Sequence, residues 1–235
     1  MKIENSVALV TGANRGLGAA FAHGLLASGA ARVYAAARDP ATVSSPDVVP
    51  VRLDVTRPDE VAALARELDD VTLLVNNAGI LETGPLLAPT SLESLHRQLE
   101  VNAVGPLRLV QAFAPVLAAN GGGAVINMLS VLSWLTLADV SGAYSASKAA
   151  AWALSNALRQ ELKVQRTELL SVHAAFIDTD MARGLPGPKS APEEIVRQAI
   201  AALEAGQSEL LADPTSRGVH AGLVAEPRVY IGASA

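Results

Sequence analysis

Short runs of apolar and β-branched residues alternate along the whole chain with longer stretches at helical spacing. Most of the short runs are apolar at consecutive positions, not at every second one. "VALVT" (Val7–Thr11), "RVYAAA" (Arg32–Ala37), "VVPVRL" (Val48–Leu53), "TLLVN" (Thr72–Asn76), "AVINM" (Ala124–Met128), "LLSVHA" (Leu169–Ala174) and "ELLA" (Glu209–Ala212) read as strands. Strands of that kind are buried on both faces, which requires helices on each side of a parallel sheet. The helical stretches are there: Gly16–Ser28, "RPDEVAALAREL" with Val61, Leu64 and Leu68 on one face, Ser91–Leu117, Ala143–Gln165 and Pro192–Ala205. The pattern predicts an α/β fold, a Rossmann-type doubly wound parallel sheet of about seven strands. With 235 residues, half of them hydrophobic, residues 1–235 form one domain with a single core. Gly184–Pro192, "GLPGPKSAP", reads as a loop and a candidate lid.

Composition narrows the function classes. A net charge of -5 without a long basic run lacks the electrostatic footprint of a nucleic-acid binder. The chain has no cysteine, which removes disulfides, thiolate metal sites and a cysteine nucleophile. No signal-peptide core follows Met1, and no apolar stretch long enough for a membrane span is free of polar interruptions, so a cytoplasmic protein without a membrane partner is expected. His23, His96, His173 and His220 show no metal-ligand spacing, and no metal is expected. His173 lies in an apolar strand and is expected to be hydrogen-bonded in the core.

"TGANRGLG" (Thr11–Gly18) follows the first strand and opens the first helix. Its glycines suit a tight turn, close backbone approach to a phosphate and tight helix–strand packing, and the helix start offers free N–H groups to a pyrophosphate. An acidic residue at the end of the second strand would bond a ribose 2′-OH; here the strand ends "AAARD", placing Ala37 in that slot with Arg38 next. Arg15 adds a second guanidinium within the turn, so NADP(H) is favoured over NAD(H). Further on, "YSASK" sets Tyr144 and Lys148 four residues apart, on one face of a helix, where the phenol and ammonium are expected to meet.

Together, "TGANRGLG", "NNAG" (Asn76–Gly79), "YSASK" and "FIDTDM" (Phe176–Met181) resemble the short-chain dehydrogenase/reductase family, in the family's order and over almost the entire chain. The resemblance implies hydride exchange between a nicotinamide and a carbonyl or alcohol carbon. A carbonyl that accepts hydride becomes an alkoxide and needs a proton. Tyr144 can supply it if its pKa, about 10 when free, is lowered by the nearby Lys148 charge. Ser130, just past the fifth strand, can hold the substrate oxygen. It precedes Tyr144 by one residue more than is commonest in the family, and Ser133 is the competitor. By resemblance, Asn102 supports a proton relay to Lys148, which also bonds the nicotinamide ribose. Asp54 and Val55 touch adenine, Asn77, Ala78 and Gly79 pass the adenosine side, and Ile177 and Thr179 contact the carboxamide. Gly12, Asn14, Arg15, Gly16, Leu17, Gly18 and Arg38 complete the cofactor set. Ala174-Ala175 replaces the family's proline–glycine and leaves the path of that turn open.

The expected pocket walls, Ile80–Gly84, Leu129–Asp139 and Ala182–Lys189, hold Leu132, Trp134, Leu135 and Leu137 and few charges, which suits an uncharged hydrophobic ketone or aldehyde. The reading is thus an NADPH-dependent carbonyl reductase, reversible as an alcohol dehydrogenase; the alternative is a non-catalytic NADP-binding sensor or scaffold. Ala146–Leu158 and Val101–Leu117 are apolar nearly all round, which suits a homotetramer or homodimer built across them, or packing on each other within one subunit.

Overall fold

The structure, a computed structural model, describes residues 1–185 and 187–231. Seven strands, β1 (Val7–Thr11), β2 (Arg32–Ala37), β3 (Val49–Arg52), β4 (Leu73–Asn76), β5 (Gly123–Met128), β6 (Thr167–His173) and β7 (Glu209–Leu211), form one sheet in the order 3-2-1-4-5-6-7. Every pairing is parallel. The helices are α1 (Gly16–Ala27), α2 (Pro58–Glu67), α3 (Ser91–Leu99), α4 (Gly105–Ala119), α5 (Gly142–Leu162), α6 (Pro192–Glu204) and α7 (Pro214–Gly222).

Consecutive apolar residues of each central strand feed two separate cores. Val10, Val75, Ile126 and Val172 pack with Phe21 and Leu25 of α1 and Ile195 and Leu203 of α6. Leu9, Leu74, Val125 and Leu169 pack on the other face with Leu64 of α2, Phe113 of α4 and Leu158 of α5. The single core expected from length is therefore two layers divided by the sheet. The chain leaves β1 for β2 and β3 and then crosses to β4, so strand order reverses between β1 and β4. A reversal of that kind opens a crevice at the strands' carboxyl ends.

Two local features differ from the periodic pattern. The stretch read as one helix from Ser91 is interrupted by a π-helical turn, Glu100–Val104. Pro106 lacks the N–H that an α-helix would aim at the Asn102 carbonyl, so the regular ladder fails there. The whole run Ser91–Ala119 is, by length and composition, apolar enough to cross a membrane, contrary to expectation; in the fold, its Leu109, Val110, Phe113 and Leu117 are buried in the core. Helix α7 escaped the periodicity altogether. Its signal was local: Asp213 caps it, accepting from the Ser216 N–H at 2.8 Å, and Pro214 stands in the first turn.

Candidate active site

One cleft of about 1810 Å³ lies at the carboxyl ends of the central strands, larger than a small-molecule pocket requires. Every residue in the expected cofactor set lines it, as do Ser130, Tyr144 and Lys148. Of the expected catalytic residues Asn102, Ser130, Tyr144 and Lys148, Asn102 is the one absent from its walls.

The glycine turn is built by backbone geometry. Gly12 has φ +64°, the left-handed region that favours glycine. A Cβ on Gly18 would stand 2.1 Å from the Gly12 carbonyl oxygen, so any larger residue would force the turn off helix α1. Thr11 anchors the opposite wall: its hydroxyl accepts from the N–H groups of Asn77 and Ala78, both at 3.0 Å, and the Asn77 amide donates to the Thr11 carbonyl at 2.9 Å. Thr11, for which the motif alone suggests no role, joins the two. Arg15, at the helix N-cap, supplies no side-chain cap, which leaves the first N–H groups of α1 without a side-chain acceptor.

At the end of β2, Ala37 is the last strand residue and Arg38 follows on the cleft wall, as expected. Asp39, also on the wall, caps Pro40–Thr42, accepting from the Ala41 N–H at 3.1 Å. Among the described residues Arg38 has no ion-pair partner. Arg15 does not reinforce it. Its guanidinium pairs with Asp180 at 3.1 Å, because the turn Asp180–Ala182 brings that carboxylate to the glycine turn. Partial burial pushes the Asp54 carboxyl up, but bonds from the Thr56 N–H and hydroxyl, with Arg38 and Arg57 beyond, outweigh it and hold the group below the usual range.

At the reactive end, the turn Val131–Ser133 begins with Ser130, whose hydroxyl accepts from the Leu132 N–H at 3.1 Å. Its proton has a weak acceptor in the Ala174 carbonyl at 3.5 Å. Ser133 faces the other way, its hydroxyl accepting from the Ser130 N–H, and it does not line the cleft. Tyr144 and Lys148 both project from α5 to the cleft, yet they do not bond each other. The ammonium donates to the Met128 carbonyl at 2.7 Å and sits 5.8 Å from the centre of the Tyr144 ring. Burial pushes the phenol up to about 12, with the nearby Ser130 hydroxyl acting in the opposite direction. Burial also pushes the ammonium down to about 8. The expected lowering of the phenol by Lys148 is therefore absent in this geometry: desolvation by Val131, Leu132 and their neighbours dominates.

Asn102 lies behind the cleft. Its side-chain oxygen accepts from the Ile80 N–H at 2.9 Å, and its amide donates to the Ile80 carbonyl at 2.9 Å and the Ser147 hydroxyl at 3.0 Å. Ser147 in turn donates to the Tyr144 carbonyl at 2.7 Å. The side chain thus clamps the segment after Gly79 to the start of α5. At Ala174-Ala175, the Ala175 N–H donates to Asp213 at 2.7 Å and the Ala174 carbonyl accepts from Val131 at 2.9 Å, so carboxylate and backbone ties hold this turn.

The substrate end departs from expectation at two places. Trp134 is not a cleft wall; it stacks on His173, ring centres 3.9 Å apart. Thr215 and Val219 of α7 take part in the lining instead, alongside Leu81, Leu132, Leu135, Leu137 and Met181. The loop Gly184–Pro192 contributes Leu185, Gly187 and Pro188 and is tied down by a bridge from Ser190 to Ile177; Pro186 lies outside the described residues.

Residues 6–188 match the family model for short chain dehydrogenases. Galactitol 2-dehydrogenase of Agrobacterium fabrum is 34% identical over 171 residues, 66% of this chain and 66% of that protein. A 1-deoxy-11-beta-hydroxypentalenate dehydrogenase of Streptomyces exfoliatus is 31% identical over 81% of this chain and 74% of its own length. A short chain dehydrogenase of Burkholderia cenocepacia, crystallised with NADP, superposes with a TM-score of 0.92 at 42% identity, covering 97% of both chains. With the glycine turn, the serine turn and the tyrosine–lysine helix assembled on one cleft, the chain belongs to the short-chain dehydrogenase family.

Proposed function

We propose that the protein is an NADPH-dependent reductase, reversible as an alcohol dehydrogenase, acting on an uncharged hydrophobic ketone or aldehyde. The observation that carries this reading is a phenol kept protonated by burial beside the Ser130 hydroxyl, on the wall of a cleft whose other end presents a glycine turn and Arg38. The residues suit the phosphorylated dinucleotide: Gly12 and Gly18 leave space that a Cβ would fill, the first N–H groups of α1 have no side-chain cap, and Arg38, without an ion-pair partner among the described residues, stands where a carboxylate would reject a 2′-phosphate. NADPH, when bound, supplies the hydride.

The chain's own part is to bind the carbonyl and deliver a proton. With its lone pair engaged by Leu132, Ser130 has its proton to give to the substrate oxygen. Tyr144, neutral at ordinary pH, is in the form that donates to the alkoxide. The phenolate that remains is countered by Lys148, held by Met128 on the same wall. A relay past Lys148 would use the Asn102 carbonyl, which Pro106 leaves without its α-helical donor. Leu81, Leu132, Leu135 and Val219 supply apolar walls for the substrate. We assign assembly, as a homotetramer or homodimer, to the outer faces of α4 and α5.

A polyol substrate is the second reading. It is favoured by the similarity to galactitol 2-dehydrogenase and by Glu82, His96, Arg97 and Glu100 on the cleft wall. Absorbance assays of NADPH and NADH oxidation against aliphatic and aryl ketones, with NADP reduction against polyols, separate the two. Turnover of ketones by NADPH supports the first reading and turnover of polyols alone the second. NADPH binding without turnover on either panel replaces both with a non-catalytic sensor.

A further inference from the structure

His173 ends β6 directly behind the serine turn and is wholly buried. Its Nδ1 is 3.2 Å from the Ser130 carbonyl oxygen, and its Nε2 is 3.1 Å from the Glu209 carboxylate on β7. The Trp134 ring lies over its face at 3.9 Å, 18° from parallel. A carbonyl only accepts, and so does an ionised carboxylate, so both ring nitrogens must donate. The hydrogen bond from His173 holds the Glu209 carboxyl below its usual range, with His220 and Arg159 adding to the effect, and this keeps the acceptor ionised.

The Ser130 backbone has few other ties to the sheet. Its N–H bonds Ser133 and its carbonyl also accepts from the Ser133 N–H, both within the same short turn. Val131 reaches the Ala174 carbonyl. Among the described residues, His173 is the side chain that links the Ser130 peptide itself to another element.

We propose that His173 is a positioning residue: it holds the Ser130 carbonyl, and with it the direction of the Ser130 hydroxyl into the cleft, while Glu209 fixes the ring from behind and Trp134 from the side. This rests on the reading of Ser130 as the group that holds the substrate oxygen.

Two substitutions separate positioning from space-filling. In His173→Asn the amide nitrogen stands where Nδ1 stood and can still donate to Ser130. In His173→Gln the longer amide reaches the place of Nε2 and keeps Glu209 instead. Positioning predicts that kcat on the best panel ketone stays within about threefold of wild type for His173→Asn and falls about tenfold for His173→Gln, with KM for NADPH unchanged in both. Space-filling predicts the reverse order, because glutamine is nearer to histidine in volume. Nitrogen NMR of the wild-type imidazoles, with His173 assigned by its disappearance in His173→Asn or in His173→Gln, gives a readout without turnover: protons on both ring nitrogens are expected. A bare ring nitrogen, or a His173→Gln enzyme as fast as His173→Asn, overturns the proposal. Ser130→Ala at full activity with both ring protons in place would instead overturn the reading of Ser130, and the positioning role with it, while leaving the doubly donating ring intact.

Discussion

Two ionisable pairs sit at the same end of the sheet, and their surroundings treat them in opposite ways. Tyr144 and Lys148 on α5 are both buried without bonding each other, and burial drives each towards its neutral form. His173 and Glu209 bond directly at 3.1 Å, and the carboxyl is held in its charged form. Partnership and depth both differ: Glu209 has a direct partner and an exposed side chain, whereas Tyr144 and Lys148 are buried without a charged partner. A desolvated group without a counter-charge is left with a displaced pKa that chemistry can use, whereas one whose bonding capacity is filled becomes part of the frame.

A large effect should come from separating Ser130, which caps the Val131–Ser133 turn, from Ser133 within it. Ser130→Ala is expected to lower kcat by about a hundredfold with the melting temperature little changed, since one donor to the substrate oxygen is lost. Steady-state kinetics beside thermal unfolding checks this, and unchanged kcat would move the role elsewhere.

The next test concerns Lys148. Its folded value of about 8 lies below the 10.5 of the free group, so between those pH values the unfolded chain holds a proton that the folded one has released. Stability therefore rises with pH across that window. Denaturant unfolding at the two ends of the range from pH about 8 to about 10 should show wild type gaining about 2 kcal/mol relative to Lys148→Met. Parallel curves would mean that the ammonium is not desolvated, and the contrast with His173 and Glu209 would disappear.

Arg38→Ala should weaken NADPH binding by about tenfold while leaving NADH unaffected, measured by fluorescence titration of both cofactors. Equal losses for both would assign Arg38 a structural role. The smallest effect is expected for Ser133→Ala. It removes one 3.3 Å bond to the Ser130 N–H, should cost about 1 kcal/mol in unfolding, and should leave kcat within a few-fold of wild type.

Local signals made much of this legible before the fold was known. Continuous apolar strands predicted a parallel sheet, and β1 and β2 occupy the residues expected, because both faces of each strand are covered. The expected cofactor residues of the glycine turn, with Arg38, follow from that turn and the strand end beside it, elements close in sequence that need little tertiary context, whereas Asp54, Val55, Asn77, Ala78, Gly79, Ile177 and Thr179 were expected from the family resemblance. What stayed hidden depends on non-local packing. Trp134 reads as a pocket wall from its place in an apolar loop, but β6 and α7 present His173 and His220 to it, and it stacks there. Tyr144 and Lys148 share a helical face, yet the Met128 carbonyl from β5 captures the ammonium. The split at Asn102 was written in Pro106, but the clamp on Ile80 depends on where the segment after β4 runs.

The central claim is that a buried, neutral Tyr144 phenol gives the proton. Its most direct test is ketone reduction by Tyr144→Phe at saturating NADPH, with cofactor binding measured on the same preparation. The account predicts NADPH binding equal to wild type and turnover lower by about a thousandfold. A variant that binds NADPH and reduces the ketone at the wild-type rate would contradict it.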